Sequence, residues 1–376
     1  MARQKLATLV IHFADLEDPR ASHAVEHPLI NILVIGLCAI ICGASTFTAM
    51  AEFGRSKRDW LAKFLDLSKG PPSHDTFNNV FVRLNPAQFE KCLLSWITAL
   101  HEVTQGQILP IDGKTLRGSY DTKDGKAPIH MVSIWASANQ LSLASRVVDE
   151  KSNEITAIPA LLELIDVSGA LITIDAMGCQ KAIAKAIVAQ GADFVLALKD
   201  NQPTLCDNVA TYFTAHVGND FADVPNRRHA TKEKNHGRSD ERSYHVVPVP
   251  EDWVLQAEWP EVRALGMVHR TSVSGDKHTD ELRFYILSCY PSGKRFAEAV
   301  RAHWSIENNL HWQLDVTFRE DDLRVRRDHA PANMSILMRT ALSMLKNEKS
   351  IKTGIQTKRM AAGWNEVYLE KVLTQS

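Results

Sequence analysis

Between Gln107 and Leu198 the sequence reads strand, strand, strand, helix, strand, helix, strand, and few folds accept that order. The apolar runs QILPID, IHMVSIWASA and LSLASRVVD come first, the last two separated by Asn139-Gln140 at a hairpin-like turn. Glu154 to Ile165 has helical periodicity and is followed by the strand ALITID; Gln180 to Gln190 is a second helix before the strand ADFVLAL. Three leading strands followed by regular alternation imply a mixed sheet covered on both faces, the order of an RNase H-like α/β core.

Two of these strands end alike. Asp112 closes ILPID before Gly113-Lys114, and Asp175 closes LITID before Ala176-Met177-Gly178. An aspartate after a strand is a common turn or cap residue. Two in matching contexts place both carboxylates at one sheet edge if the strands are neighbours, and that edge is where open α/β sheets bind ligands. Hard oxygen donors at such an edge suit Mg²⁺. A third feature is the helical run AEAVRAHWSIENNLHWQLDVTF, in which His303, Glu307, His311 and Asp315 recur every fourth residue. They form a slowly drifting stripe, with Trp304, Ile306, Leu310 and Leu314 on the apolar side. A solvated charged face is the plain alternative. Zinc is a poorer fit, because no HExxH is present.

The flanks are different in texture. Residues up to about 100 read as helical: His27-Pro28 opens an apolar helix, Phe47 to Leu65 is an amphipathic run, Ser73 suits a helix start, and Asn85-Pro86 begins a helix ending near His101. Arg55, Lys57, Arg58, Lys63 and Arg83 make this region a DNA-binding module or a plain bundle. The run Leu29 to Ser45 is near the minimum membrane-spanning length, but Asn31, two glycines and flanks poor in Lys and Arg favour a buried core helix. With no other such segment, no membrane is expected and the chain reads as cytoplasmic. After Asn201 the pattern breaks; charged loops and short alternating runs (YHVVPV, VRALGMV, LRFYILS) read as a β-rich insertion over 205–292, since a structureless loop of that length is implausible. The expected division is therefore a helical domain 1–104, a catalytic domain 105–350 containing the insertion, and a tail 351–376.

Composition decides little. A net charge of −1 removes any chain-wide basic excess, so nucleic-acid binding would need charge clustered on one face. Six scattered cysteines without a CxxC pair fit reduced thiols. The Gly-Lys-Thr of DGKTLRGS lacks the earlier glycine of a phosphate-binding loop, where Ile108 stands, and no GxSxG supports a serine hydrolase.

Taken together, LPIDGKTLRGS, ITIDAMGCQKAIAKAI with ADFVLALKDNQPTL, and HWSIENNLHWQLDVTFREDD resemble the DDE transposases of bacterial insertion sequences. The likeness is to the branch that includes the H-repeat-associated proteins. It covers nearly the whole chain, and FADLEDPRASHAVEHPL with PPSHDTFNNVFVRL is similar to that branch's transposase-associated domain. The resemblance implies that Asp112, Asp175 and Glu307 are the catalytic, metal-binding carboxylates. They would hold two Mg²⁺ ions (or Mn²⁺) for cleavage and strand transfer on double-stranded DNA. A homodimer on paired element ends and association with the nucleoid are implied too. Relatives often carry arginine four residues before the glutamate and lysine seven after it, where this chain has His303 and Leu314. That leaves the roles of His303, His311 and Asp315 open, and Asp315 or Glu320 as rival third ligands. Lys114, Arg117, Lys199, Arg324, Arg326 and Arg327 are the candidate phosphate contacts, and Trp253 or Trp259 could stack on an extruded base or pack in the core. A nuclease that does not join, or a non-mobile DNA-binding relic, are the alternatives.

Overall fold

The computed structural model describes residues 11–100, 106–120, 125, 127–148, 154–235 and 237–375. The chain divides into two compact units, one made of Met1–Thr104, Gly113–Asn153 and Glu307–Ser376, the other of Gln105–Asp112 and Glu154–Ile306.

The first unit opens with α1 (Leu29–Ile41), which is hydrophobic all round and buried along nearly its whole length. A helix apolar on every side belongs in the middle of a core, and Gly36 lets Leu337, Phe81 and Met50 close on it. Its 13 residues fall short of a membrane span, and among the described residues no helix is long and apolar enough to cross one. The expected run from Phe47 breaks into α2 (Phe47–Ser56) and α3 (Arg58–Leu61), with Thr46 capping α2 through the Ala49 amide. Ser73 caps α4 (His74–Arg83) as expected, and α5 (Pro86–Leu100) follows. The long helix α10 (Ala330–Asn347) is buried from Ala330 to Leu345. The last residues form α11 (Ile355–Trp364) and α12 (Glu366–Thr374), which bury Ala362, Leu369 and Val372.

Strand β1 (Ile108–Thr115) contributes to both units. In the first unit its end adjoins β2 (His130–Ala136), which pairs antiparallel with β3 (Leu141–Val148) across the turn where Gln140 takes a positive φ of 54°. In the second, β1 runs parallel to β4 (Leu171–Ile174), and β4 parallel to β5 (Asp193–Leu198). Helices α6 (Glu154–Leu162) and α7 (Lys181–Ala189) are the crossovers that parallel pairing demands. The resulting order β3-β2-β1-β4-β5 is RNase H-like.

The region after Asn201 begins with a helix that the sequence pattern concealed, α8 (Pro203–Val217), whose apolar face is only Leu205, Val209 and Phe213. The β-rich character then appears as β6 (Arg227–Asn235), β7 (Arg238–Pro248), β8 (Ala264–Ser274) and β9 (Lys277–Leu287). These strands extend the sheet: β9 pairs antiparallel with β5, followed by β8, β7 and β6. Helix α9 (Gly293–Ile306) packs Phe296 on Tyr244 and Tyr285. That approach needs Gly266, where an added Cβ would lie 2.7 Å from the Phe296 ring. Trp253 and Trp259 are core residues, 7% and 2% exposed, and Trp253 Nε1 donates to Asn208. Neither can stack on a base.

Candidate active site

Parallel pairing in the second unit sets Ile111 beside Ile174, so the next positions on the two strands are Asp112 and Asp175. Neighbouring strands lie about 4.8 Å apart, which brings the two carboxylate-bearing backbones side by side. Both residues are partly buried. Asp175 stays extended (φ −67°, ψ 179°) and caps the turn Ala176–Gly178, its Oδ1 accepting from the Gly178 amide at 3.3 Å. Gly178 is required there, because a Cβ would fall 2.2 Å from the Ile174 side chain.

Alternation along an extended chain puts Thr173 and Asp175 on the same face. Buried Thr173 pairs through its hydroxyl with His303 Nδ1 at 3.5 Å. Helix α9 therefore crosses the face that carries Asp175, and His303 takes up the side of α9 turned to β4.

Glu307 follows α9 directly in the chain and belongs to the first unit. Its side of the helix does not keep a regular α pitch. Residues Glu307–His311 and Gln313–Thr317 are π-helical, a widening frequent at functional sites. The expected stripe breaks accordingly: Glu307 is exposed, His311 buried and Asp315 partly buried. Leu310, Leu314 and Phe318 supply the buried side. Among the described residues no group of three or more His, Cys, Asp or Glu side chains is gathered so as to hold a metal ion. Within the second unit the structure thus brings Asp112 and Asp175 together.

The segment from Glu307 to Asp322 is pinned by four basic residues of the first unit, only one of which was singled out from sequence. Lys346 of α10 donates to Asn309 at 2.9 Å and Gln140 at 3.0 Å, its ammonium lying over the Trp135 ring. Burial, with Lys349 and Lys358 nearby, pulls its pKa down to about 8. Lys114 of β1 reaches Asp315 at 2.7 Å, Asp321 at 3.0 Å and Glu320 at 3.2 Å. Burial opposes its charge, but the three carboxylates outweigh that and hold its pKa above the ordinary lysine range. Arg339 of α10 donates to Glu320 at 2.9 Å, and both side chains are 2% exposed. Arg359 of α11 packs under Phe318 and donates to the carbonyls of Thr317 and Ile40. Burial raises the pKa of Asp315, with Lys114 drawing it back.

The remaining candidates are distributed as follows. Lys114, expected as a phosphate contact, is 7% exposed and fully engaged with carboxylates, so it has little to offer a phosphate. Glu320, a rival third ligand, has its carboxylate taken by Arg339, Ser335 and Lys114. Arg117 is 83% exposed beside Asp321. Arg324 and Arg327 are exposed, and Arg326 stacks its guanidinium 4.8 Å from the Tyr120 ring. Lys199 is exposed in the second unit.

Comparison with known families identifies the class of protein. Residues 104–344 match the family described as transposase DDE domain, and residues 10–97 match the DDE_Tnp_1-associated family. The chain belongs to the DDE transposase family. Among individual relatives, the putative transposase YncI of Escherichia coli O157:H7 is 38% identical over 372 residues, 98% of this chain and 95% of that one. The H repeat-associated putative transposase YhhI of Escherichia coli K12 is 36% identical over 380 residues, 99% of each. A cryo-EM structure of the piggyBac transposase synaptic complex with hairpin DNA aligns with a TM-score of 0.38 at 11% identity, covering 99% of this chain and 81% of that one, too distant to bear on the site.

Proposed function

We propose that the chain is the transposase of an insertion sequence, cutting element-end DNA and joining it to a target with Asp112, Asp175 and Glu307 as the catalytic carboxylates. The observation that carries this is the adjacency of Asp112 and Asp175 on β1 and β4 within a chain of the transposase family. Two like charges at neighbouring positions repel unless a cation lies between them. An all-oxygen donor pair that is partly open to solvent fits a hard divalent ion such as Mg²⁺ or Mn²⁺. Asp112, Asp175 and Glu307 would hold such ions.

 When bound, such ions activate water and offset the charge that builds on a phosphate under attack. The chain's own residues do the rest. His303 and Thr173 hold α9 against the face that carries Asp175, and the Lys114, Arg339, Lys346 and Arg359 contacts hold the segment that follows Glu307.

Phosphate contacts fall to Arg117, Arg324, Arg326 and Arg327 in the first unit and to Lys199 in the second, which would position DNA without reading its sequence. Action on paired ends as a homodimer, in the cytoplasm at the nucleoid, belongs to the same proposal. The test is cleavage of a duplex carrying the gene's own flanking repeats, with Mg²⁺ or Mn²⁺, comparing the parent with Asp175→Ala. Metal-dependent 3′-OH ends from the parent alone support the carboxylate site. Cleavage without joining would mean a nuclease. No cleavage by either protein, with duplex binding intact, would mean a DNA-binding relic.

A further inference from the structure

The sheet face covered by α9 changes character along its strands. Close to α9 it is apolar, with Tyr244, Val246, Val268 and Tyr285 packed around Phe296. Farther out, the pairings Glu233↔Asp240, Asp240↔Ser272, Arg242↔Arg270, Arg270↔Glu281 and Val268↔Arg283 continue the same face as a ladder of charges.

This ladder breaks a rule that sheets built for stability keep. Arg242 and Arg270 stand directly opposite each other, and like charges at opposed positions destabilise a strand pair. Asp240 compensates. Its carboxylate takes Arg238 Nη2 at 2.7 Å and Arg270 Nη2 at 2.9 Å, with Arg242 Nη2 at 3.5 Å. One buried carboxylate thereby aligns three guanidiniums, each with five N–H donors of which Asp240 uses only part. Arg283, stacked 4.7 Å from the Trp304 ring, and Arg301 complete the face, so five guanidiniums meet the three carboxylates Glu233, Asp240 and Glu281. The chain as a whole carries a net charge of −1, which makes a local excess of arginine a feature of this surface rather than of the composition.

We propose that this arginine face, centred on Asp240, binds the phosphate backbone of double-stranded DNA. The inference rests on the transposase reading and adds a DNA-contacting surface outside the carboxylate site. Planar guanidiniums match phosphate oxygens two at a time, and a fixed row of them suits a regularly spaced polyanion. The contacts carry no base specificity; they set the position of the duplex.

The experiment is duplex binding by the full chain, read as fluorescence anisotropy of a short labelled mixed-sequence DNA across a salt series. Each lost phosphate contact lowers the slope of log affinity against log salt by about 0.9. Arg238→Gln with Arg270→Gln should lower it by about 1 to 2. Arg238→Lys with Arg270→Lys should keep the parent slope, because the charge is retained. Lys232→Gln, on the opposite face beside Glu241, should also keep it. Arg283→Gln leaves Asp240 untouched and reads the same face should the glutamine pair fail to fold. Parent-like slopes in both the glutamine pair and Arg283→Gln would overturn the proposal, as would a change in self-association by sedimentation with the slope intact. If the parent itself shows no salt-dependent duplex binding, the transposase reading falls as well; if the parent binds and these variants match it, only this inference falls.

Discussion

Lys114 Nζ lies 2.7 Å from Asp315 Oδ1, joining the strand that carries Asp112 to the π-helical segment that follows Glu307. The same ammonium serves Glu320 and Asp321, and Glu320 is in turn held by Arg339. Removing one partner of a buried ion pair leaves the other charge uncompensated, at a cost of about 3–5 kcal/mol. Lys114→Met should therefore lower unfolding stability by about that amount, reduced somewhat because Asp315 and Asp321 are partly open to water. Urea denaturation measures it. Duplex affinity should stay within about twofold, since the Lys114 charge is already neutralised by its neighbours. A stable variant that has lost DNA affinity would return Lys114 to the phosphate contacts.

The pairing of Ile111 with Ile174 makes a separate prediction about the two aspartates beside it. Without divalent metal their charges repel, and opposed like charges in a sheet cost about 0.2–1 kcal/mol. Asp112→Asn should be at least as stable as the parent in chelator. Adding Mn²⁺ should then raise the melting temperature of the parent and not that of the variant, because a ligand that binds only the folded state stabilises it. Equal Mn²⁺ shifts in both proteins would remove Asp112 from the metal site.

Gly118 is where the first unit permits no side chain. An added Cβ would lie 2.1 Å from the Leu323 carbonyl oxygen and 2.8 Å from that of Asp321. Both are backbone atoms, so the 321–323 loop would have to move, and Asp321 with it. Gly118→Ala should cost about 1–3 kcal/mol, the range for forced overpacking. It should also be less than additive with Lys114→Met, because both act on the Lys114–Asp321 contact. Strict additivity in the double variant would show that the loop moves without disturbing Lys114.

Much of the second unit was legible because its strands are apolar enough to announce themselves. ILPID and LITID pair in parallel, side by side, which is what their matching ends suggested. Helix α8 was not legible: only Leu205, Val209 and Phe213 are buried, too thin a stripe to stand out after the broken pattern at Asn201. The regular four-residue spacing of His303, Glu307, His311 and Asp315 misled for a different reason. It presumes an α pitch, and the chain widens to π from Glu307 onward. The contacts by which basic residues hold this segment were hidden too; from sequence, Lys114 reads as a phosphate contact. Lys114, Arg339, Lys346 and Arg359 are far apart in sequence, and burial of a charge shows only when its partners are folded around it. The arginine ladder around Asp240 was invisible for the same reason, since it depends on the register of β7 with β8.

Glu90 of α5 offers a test of the first unit's core that needs no DNA. Its carboxylate accepts from the amide and hydroxyl of Ser145 on β3, both at 2.5 Å. Burial pushes its pKa up to about 7, against the lowering effect of Ser145 and of the Arg339 and Arg146 charges. The folded protein thus binds more protons here than the unfolded chain does between the ordinary glutamate value and about 7. Stability from this group is complete below that window and falls as pH rises through it. Glu90→Gln keeps an oxygen to accept from Ser145 and removes the titration. The variant should therefore gain on the parent as pH rises from about 5 to about 8, by on the order of 1–3 kcal/mol. Other groups titrate alike in the two proteins, so the difference between their melting curves isolates Glu90. A difference that stays constant across that range would mean that Glu90 ionises normally in the folded chain.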